Sequence, residues 1–539
     1  MKFAILAALS LSLGLSSSAI AQDDKGGDKP VAAPNPAFFK VEDKATQGAV
    51  TVDGDRIDYT AHAGTLIVHA KDWDDATQPP PDDKDKDKDK TDKQAQAEMF
   101  YVAYLKRDVA PEKRPITFLF NGGPGSSTVW LHMGAFGPKR VTTADDSHSP
   151  AAPYQIVNND ESLLDASDLV FIDAPGTGFS RVAGKDKEKA FYGIDPDAYA
   201  FADFISQFLA KYARWNSPKY LFGESYGTPR SAVLVNELQT ERNMDFNGVI
   251  LLSQILNFDM SADRPEFNPG VDLPYQLALP TYAATAWYHH KLPPGAPKDL
   301  PTLIKQVEHF AMGEYALALE GGSTIGPNWR KDIVAKLHMF TGLPPDYIEK
   351  ANLRIDGGEF EKSLEGATDT TIGRLDTRFS GPTLDPLSKE ADYDPQSAAI
   401  SSAYVSAFND YVRRVLNYGD DKQYKPEIQL YRSWEFTHKP PGADRAIRGS
   451  ANVMPDLANA MKLNPNLKVM LNGGYYDLAT PYFEGWYEMH HLQIPPSLQA
   501  NISYRYYQSG HMVYAHLPSL KELHDNVAAF IRQTNNVPK

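Results

Sequence analysis

Cysteine is absent from all 539 residues of the chain. The protein therefore contains no disulfide bond and no lipid-modified N-terminal cysteine, and it offers no thiolate to a metal ion. A chain of this length can bury a large core, so its stability does not depend on such cross-links.

Runs of basic residues are also lacking. Lys and Arg number 54 against 69 Asp and Glu, which gives a net charge of −15 at pH 7. Nucleic-acid binding needs a basic face, so no nucleic-acid partner is expected. The run from Asp82 to Lys93 alternates between acidic and basic residues, and its balanced charge predicts an exposed linker.

Long hydrophobic segments are lacking too, and the one short run lies at the N-terminus. Met1-Lys2, the apolar stretch 3–15 and Ala19-Ile20-Ala21 form the pattern of a secretory signal peptide cleaved after Ala21. The run is too short to span a bilayer, so no integral membrane segment is expected after cleavage. The predicted localisation is the periplasm of a Gram-negative bacterium, or else full secretion.

Motifs for metals and cofactors are missing as well. The chain has no H-E-x-x-H sequence and no G-x-G-x-x-G that opens a βαβ unit. The pairs His289-His290 and His490-His491 place adjacent side chains in divergent directions, which does not favour a shared metal. We expect neither a metal nor a cofactor.

The most informative feature present is Gly223-Glu224-Ser225-Tyr226-Gly227, directly behind the apolar run Tyr220-Leu221-Phe222. A G-x-S-x-G sequence between a buried strand and a helix is typical of a nucleophile elbow, which exposes the serine Oγ on a tight turn. An ordinary glycine-rich loop is the alternative. Three further segments favour the elbow, with Ser225 as the nucleophile.

The first of these is Asn121-Gly122-Gly123-Pro124-Gly125, which follows the strand-like stretch 116–120. In hydrolases with this elbow, one oxyanion donor is the backbone N–H after the nucleophile, and another comes from a glycine-rich loop after an earlier strand. The sequence therefore predicts an oxyanion hole formed by the N–H groups of Tyr226 and Gly123.

The other two segments supply an acid and a base. Asp477 follows the β-patterned run 468–471, and His511 follows the run 502–507, so both fall on loops at strand ends, where such sheets carry their chemistry. The chain order Ser225, Asp477, His511 is that of an α/β-hydrolase triad. In this triad His511 is the general base and Asp477 orients its ring.

These segments resemble the serine carboxypeptidase family. The resemblance lies in NGGPGSS at 121–127, DLVFIDAPGTGFS at 168–180, GESYG at 223–227 and SGHMV at 509–513. It implies an α/β-hydrolase that removes C-terminal residues from peptides through an acyl-enzyme on Ser225. It also implies that Asn121, Gly122 and Glu224 hold the free carboxylate of the substrate.

The sequence departs from the family at three positions, and one of them is Ser126, which stands in place of the family's usual cysteine. Ala135 stands where the family has a second glutamate, so the paired-carboxyl device for gripping the substrate carboxylate is incomplete, and Tyr514 replaces a proline. The stretch 474–481 is similar to the proline-type aminopeptidases, which makes an aminopeptidase the main alternative. An acyltransferase using the same triad, and a binding module that has lost catalysis, are further alternatives, although every triad position is present.

The predicted fold class is α/β, with a mostly parallel central sheet, a helical cap insertion and an N-terminal β-hairpin region. Short strands are expected at 50–52, 55–61 and 66–70, broken at Asp53-Gly54 and Ala63-Gly64. The predicted organisation is a signal peptide at 1–21, a leader with short hairpins and the charged linker at 22–95, the first half of the hydrolase core at 96–258, the helical cap at 259–449 and the second half of the core at 450–539.

Overall fold

The computed structural model describes residues 38–71, 73 and 94–538. The predicted signal peptide and the Asp/Lys run lie outside the described residues and stay predictions. The described strands are β1 (Asp43–Val52), β2 (Asp55–His69), β3 (Gln96–Lys106), β4 (Ile116–Phe120), β5 (Lys139–Val141), β6 (Ile156–Asn158), β7 (Asp168–Ile172), β8 (Arg181–Ala183), β9 (Lys219–Glu224), β10 (Gly248–Leu252), β11 (Thr370–Ile372), β12 (Ser380–Pro382), β13 (Lys468–Gly474) and β14 (Ile502–Tyr507).

Helices alternate with the strands of the core and dominate the stretch between β10 and β13. Within the described ranges, no helix is both long enough and apolar enough to cross a membrane. The described α-helices are α1 (Lys187–Phe191), α2 (Ile194–Lys211), α3 (Gly227–Arg242), α4 (Leu273–Tyr288), α5 (Leu300–Phe310), α6 (Ala316–Gly321), α7 (Pro327–Thr341), α8 (Pro345–Lys350), α9 (Gly357–Ser363), α10 (Pro395–Arg414), α11 (Met454–Leu463), α12 (Tyr482–His490), α13 (Pro496–Gln499) and α14 (Leu517–Thr534).

One ten-stranded sheet organises the molecule, in the order β1-β2-β3-β7-β4-β9-β10-β13-β14, with β8 paired to β3. All pairs from β7 to β14 along this order are parallel. Strands β4, β7 and β10 are fully buried, mostly apolar runs, as expected for a sheet covered by helices on both faces. The predicted α/β-hydrolase class with a mostly parallel sheet is confirmed.

The N-terminal edge of the sheet corrects one expectation. The chain turns at Asp53-Gly54 as predicted, but β2 runs unbroken through Ala63-Gly64. Gly64 pairs with both Asp43 and Tyr101, and a Cβ at position 64 would lie only 2.1 Å from the Glu42 carbonyl oxygen. This glycine therefore permits a close backbone approach inside a strand, and it does not mark a turn.

The long stretch between β10 and β13 carries α4 to α11, in line with its helical patterns, but it is not purely helical. It also contains the small antiparallel pair of β11 and β12, whose three-residue strands are too short to show a two-residue alternation in sequence. From Val415 to Val453 it has no helix or named strand among the described residues. This irregular part contributes side chains to the cleft described below.

Candidate active site

Ser225 occupies the turn between β9 and α3. Its φ angle is +60°, in the left-handed region that L-residues rarely adopt and that marks a strained turn. Its N–H donates to the Leu252 carbonyl of β10 at 3.0 Å. A Cβ at Gly223 would lie 2.1 Å from the Gly227 carbonyl oxygen, so the turn closes only with glycine there. The pentapeptide forms the predicted elbow geometry.

The glycine-rich loop after β4 lies against this elbow. A Cβ at Gly122 would be 2.3 Å from the Tyr226 nitrogen, and Gly123 has a φ angle of +107°. Within residues 94–538, no protein acceptor engages the backbone N–H of Gly123 or of Tyr226. Both groups are therefore available to stabilise an oxyanion, as the sequence predicts.

Asp477 and His511 meet where the loops after β13 and β14 touch. A Cβ at Gly474 would lie 2.2 Å from the Ser509 carbonyl oxygen, so this glycine allows the two loops to approach. His511 Nδ1 lies 2.8 Å from Asp477 Oδ2. This contact orients the imidazole so that its Nε2 is the nitrogen left for chemistry.

Further contacts fix the Asp477 carboxylate, which is 0% exposed. The N–H groups of Ala479 and Thr480 donate to Asp477 Oδ1 at 2.9 and 3.0 Å, and the Thr480 hydroxyl donates to Oδ2 at 2.8 Å. Because every one of these partners is a donor, the carboxylate is held as an acceptor for His511. Thr480 was not assigned a role from the sequence.

The environment of His511 sets its basicity. Burial lowers the pKa of His511, but the charge of Asp477 and its hydrogen bond outweigh burial, so the pKa is raised above its ordinary value of 6.5. The His511 N–H donates to the Leu375 carbonyl at 2.6 Å, and the Ser253 hydroxyl donates to the His511 carbonyl at 2.7 Å. Leu375, which lies in the long stretch between β10 and β13, thus stabilises the loop that carries His511.

A cavity of about 580 Å³ joins these groups. Ser225 and His511 line it together with the two oxyanion candidates and the three predicted substrate-binding residues. The inserted stretch adds an apolar wall and several charged groups that the sequence did not single out. These added residues include Asp263, Arg374, Ile400, Glu427, Tyr431 and Phe436.

Glu224 is buried beside the nucleophile. Burial raises the pKa of its carboxyl to about 7, although the nearby His511 charge and hydrogen bonds from Tyr514 and Asn121 oppose the shift. The Tyr514 hydroxyl lies 2.8 Å from Glu224 Oε2 and 3.1 Å from Oε1. At mildly acidic pH this carboxyl is therefore protonated and can donate a hydrogen bond.

Arg230 on α3 connects the helix behind the elbow to α2 and to the glycine-rich loop. Its guanidinium pairs with Asp197 of α2 at 2.6 and 3.2 Å and donates to the Asn121 carbonyl at 2.7 Å. The Arg230 and Asp197 side chains are 0% and 1% exposed. Loss of one partner would leave the other charge buried without compensation.

We expect Arg230→Met to lower the free energy of unfolding by about 3–5 kcal/mol, the usual cost of breaking a buried ion pair from one side. Urea denaturation measures this change. Arg414→Met is the matched control, because Arg414 pairs with Asp410 on an exposed face and such pairs contribute little. Equal losses in the two variants would contradict the assigned role of Arg230.

Metal-ligand atoms cluster at a separate place. Glu161, His524 and Asp525 bring one such atom each within 4.8 Å of one another. Burial lowers the pKa of His524, but the hydrogen bond and charge of Asp165 outweigh it, so the pKa is raised. The His524 ring nitrogens lie 3.1 Å from Asp525, 3.3 Å from Asp165 and 3.6 Å from Glu161, which are ion-pair contacts.

Comparison with known proteins agrees with the geometry. Residues 88–263 match the family model described as serine carboxypeptidase. This segment is therefore similar to the serine carboxypeptidase family. It contains the glycine-rich loop, Glu224 and Ser225, whereas Asp477 and His511 lie beyond it and are placed by the structure.

Curated serine carboxypeptidases also align with part of the chain. A pheromone-processing carboxypeptidase KEX1 from Phytophthora infestans is 30% identical over 181 residues, which are 31% of this chain and 24% of that protein. Serine carboxypeptidase ctsa-3.2 from Caenorhabditis elegans is 26% identical over 178 residues, or 31% of this chain and 32% of that protein. The chain thus spans about a quarter to a third of the length of these relatives.

Solved structures show a weaker likeness. The crystal structure of a proline iminopeptidase from Mycobacterium smegmatis is 12% identical and has a TM-score of 0.33, with coverage of 91% of this chain and 99% of that one. A likeness of this size gives no support to the aminopeptidase alternative.

Proposed function

We propose that the protein is a serine-type carboxypeptidase that hydrolyses the C-terminal bond of peptides through an acyl-enzyme on Ser225. The observation that carries the proposal is that Ser225, His511 and the buried Glu224 carboxyl all line one cavity. Such a cavity supplies a nucleophile, a base and a group that can bind a carboxylate.

The first half of the reaction follows from the triad. His511 removes the Ser225 proton as the serine Oγ attacks the scissile carbonyl, and the N–H groups of Gly123 and Tyr226 stabilise the oxyanion. His511 then protonates the leaving amine. Water attacks the acyl-enzyme by the same route, which releases the shortened peptide and restores Ser225.

Substrate selection depends on the protonation of Glu224. An ionised Glu224 would repel a terminal carboxylate, while the protonated form donates a hydrogen bond to it. Asn121 and Gly122, which line the cavity beside it, can contact the same carboxylate. Binding therefore requires a protonated Glu224, and catalysis requires a neutral His511.

These two requirements predict a bell-shaped pH dependence of kcat/KM for a peptide with a free C-terminus. The alkaline limb should fall through the Glu224 pKa of about 7, and the acid limb reports His511. The amidated twin of the peptide has no carboxylate to bind, so it should lack this alkaline limb. In Glu224→Gln the limb should also vanish, because the amide donates at every pH.

The same experiment tests the alternative. If the free acid is hydrolysed no faster than its amide at about pH 5, near the ordinary glutamate pKa, or if Glu224→Gln keeps the alkaline limb, Glu224 does not bind the substrate carboxylate. An aminopeptidase would then be favoured, since Asp263 and Glu427 also line the cavity and a carboxylate can bind an amine. An N-acetylated peptide has no free amine. Its cleavage would therefore favour a carboxypeptidase, and its resistance to cleavage would favour an aminopeptidase.

A further inference from the structure

The Glu224 carboxyl is hydrogen-bonded to the phenol of Tyr514. Both of its oxygens lie within hydrogen-bond distance of the Tyr514 hydroxyl, at 3.1 and 2.8 Å. Tyr514 is buried in the short helical turn Val513–Ala515, three residues beyond His511. The turn that follows the catalytic histidine therefore positions the residue that precedes the nucleophile.

Tyr514 also packs against the turn that contains Ala135. A Cβ built on Gly134 would come within 2.8 Å of Tyr514 Cδ2 and 2.5 Å of Tyr404 Cε1. Ala135 itself is buried in the π-helical turn Leu131–Phe136. Two tyrosine rings thus pack on the π-helical turn that contains Ala135.

We propose that Tyr514 positions Glu224 to recognise the terminal carboxylate of the substrate, by holding the Glu224 carboxyl in a fixed orientation. This inference rests on the proposed function. The Tyr514 hydroxyl and the Asn121 side chain donate to the carboxyl, which leaves the carboxyl proton for the substrate. A phenol keeps its proton across the working pH range. Of the hydrogen-bonded pair Tyr514 and Glu224, only Glu224 therefore titrates.

The surroundings of Glu224 are consistent with this assignment. Burial raises the pKa of Tyr514 well above 10, so the hydroxyl remains a donor. The His511 charge lowers the Glu224 pKa and the Asp477 charge raises it. The polar and titratable groups that face Glu224 from neighbouring elements are Asn121, Tyr404, Asp477, His511 and Tyr514.

Tyr514→Phe removes the hydroxyl and keeps the ring. Because the hydroxyl stabilises the ionised carboxylate, its loss should raise the Glu224 pKa and move the alkaline limb for the free-acid peptide to higher pH. The preference for the free acid over its amidated twin at about pH 5 should fall about 3- to 10-fold, mainly through KM, since one hydrogen bond that orients the carboxyl is lost. Steady-state kinetics against pH measure both effects.

Tyr404→Phe is the matched control. Tyr404 packs on the same turn, but among the described residues it is the Tyr514 hydroxyl that lies on the Glu224 carboxyl, so this variant should keep the wild-type preference and alkaline midpoint. The double variant Glu224→Gln/Tyr514→Phe should have no alkaline limb, as in Glu224→Gln alone, because the group whose titration produces that limb is gone.

The outcomes separate the two proposals. A wild-type enzyme that shows no preference for the free acid would overturn the proposed function. A wild-type preference together with an unchanged alkaline midpoint in Tyr514→Phe would overturn only the role of Tyr514. Equal losses on the free acid and on the amide in Tyr514→Phe would assign the tyrosine a purely structural role and would also overturn it.

Discussion

Replacement of Ser225 by alanine is expected to lower kcat by roughly 10⁴- to 10⁶-fold, the range found when a triad serine is removed. The physical reason is that no other group on the elbow can form the acyl-enzyme. Turnover of a chromogenic peptide and covalent labelling by a fluorophosphonate probe both measure the change. The probe should modify Ser225 in the wild type and leave the variant unlabelled.

The control for this experiment is Ser206→Ala. Ser206 lies on α2, and its hydroxyl donates to the Ala202 carbonyl, so its loss should affect neither labelling nor turnover. Peptide mapping of the labelled wild type locates the modified residue. Labelling at another serine, with activity retained in Ser225→Ala, would remove the proposed mechanism.

The features best predicted from the sequence are those set by local backbone requirements. Gly223 and Gly227 are needed because a side chain at either position would collide with the main chain, and this requirement appears in the sequence as a motif. The chain order of Ser225, Asp477 and His511 then follows from the fold class. The structure brings Asp477 and His511 into direct contact and places Ser225 and His511 on one cavity.

Other parts of the site depend on contacts between distant segments and left no local pattern. The Leu375 carbonyl that accepts from His511 is a backbone group, which any residue could supply. Glu427 and Tyr431 come from a stretch without periodic structure, and it is positioned by pairing with the glycine-rich loop, where Ile428 donates to Gly125 at 2.9 Å. A motif search has no means of finding such residues.

Tyr514 is an intermediate case. The sequence identified it as a departure from the family, and Ala135 as another, but it gave no reason to connect the two. The structure connects them, because the turn of Tyr514 packs against the turn that contains Ala135. Two positions that look independent in sequence therefore lie on turns that pack against each other.

Replacement of His511 by alanine should be about as damaging as Ser225→Ala, because the members of a triad act as a unit. The double variant Ser225→Ala/His511→Ala should then be no slower than either single variant. The raised pKa of His511 further predicts that the acid limb of kcat/KM for the amidated peptide has its midpoint above 6.5, since the imidazole must lose its proton to act as a base.

His516 provides the matched control for His511. It precedes α14, its Nδ1 lies 2.8 Å from the Ser519 hydroxyl, and burial lowers its pKa, so His516→Ala should stay within about tenfold of the wild type. Asp477→Asn should reduce kcat by about 10⁴-fold with the fold intact, because an amide can donate to Nδ1 and stabilise the wrong tautomer. If His516→Ala were the more damaging histidine variant, or if the serine and histidine losses were additive, Ser225 and His511 would not form one catalytic unit.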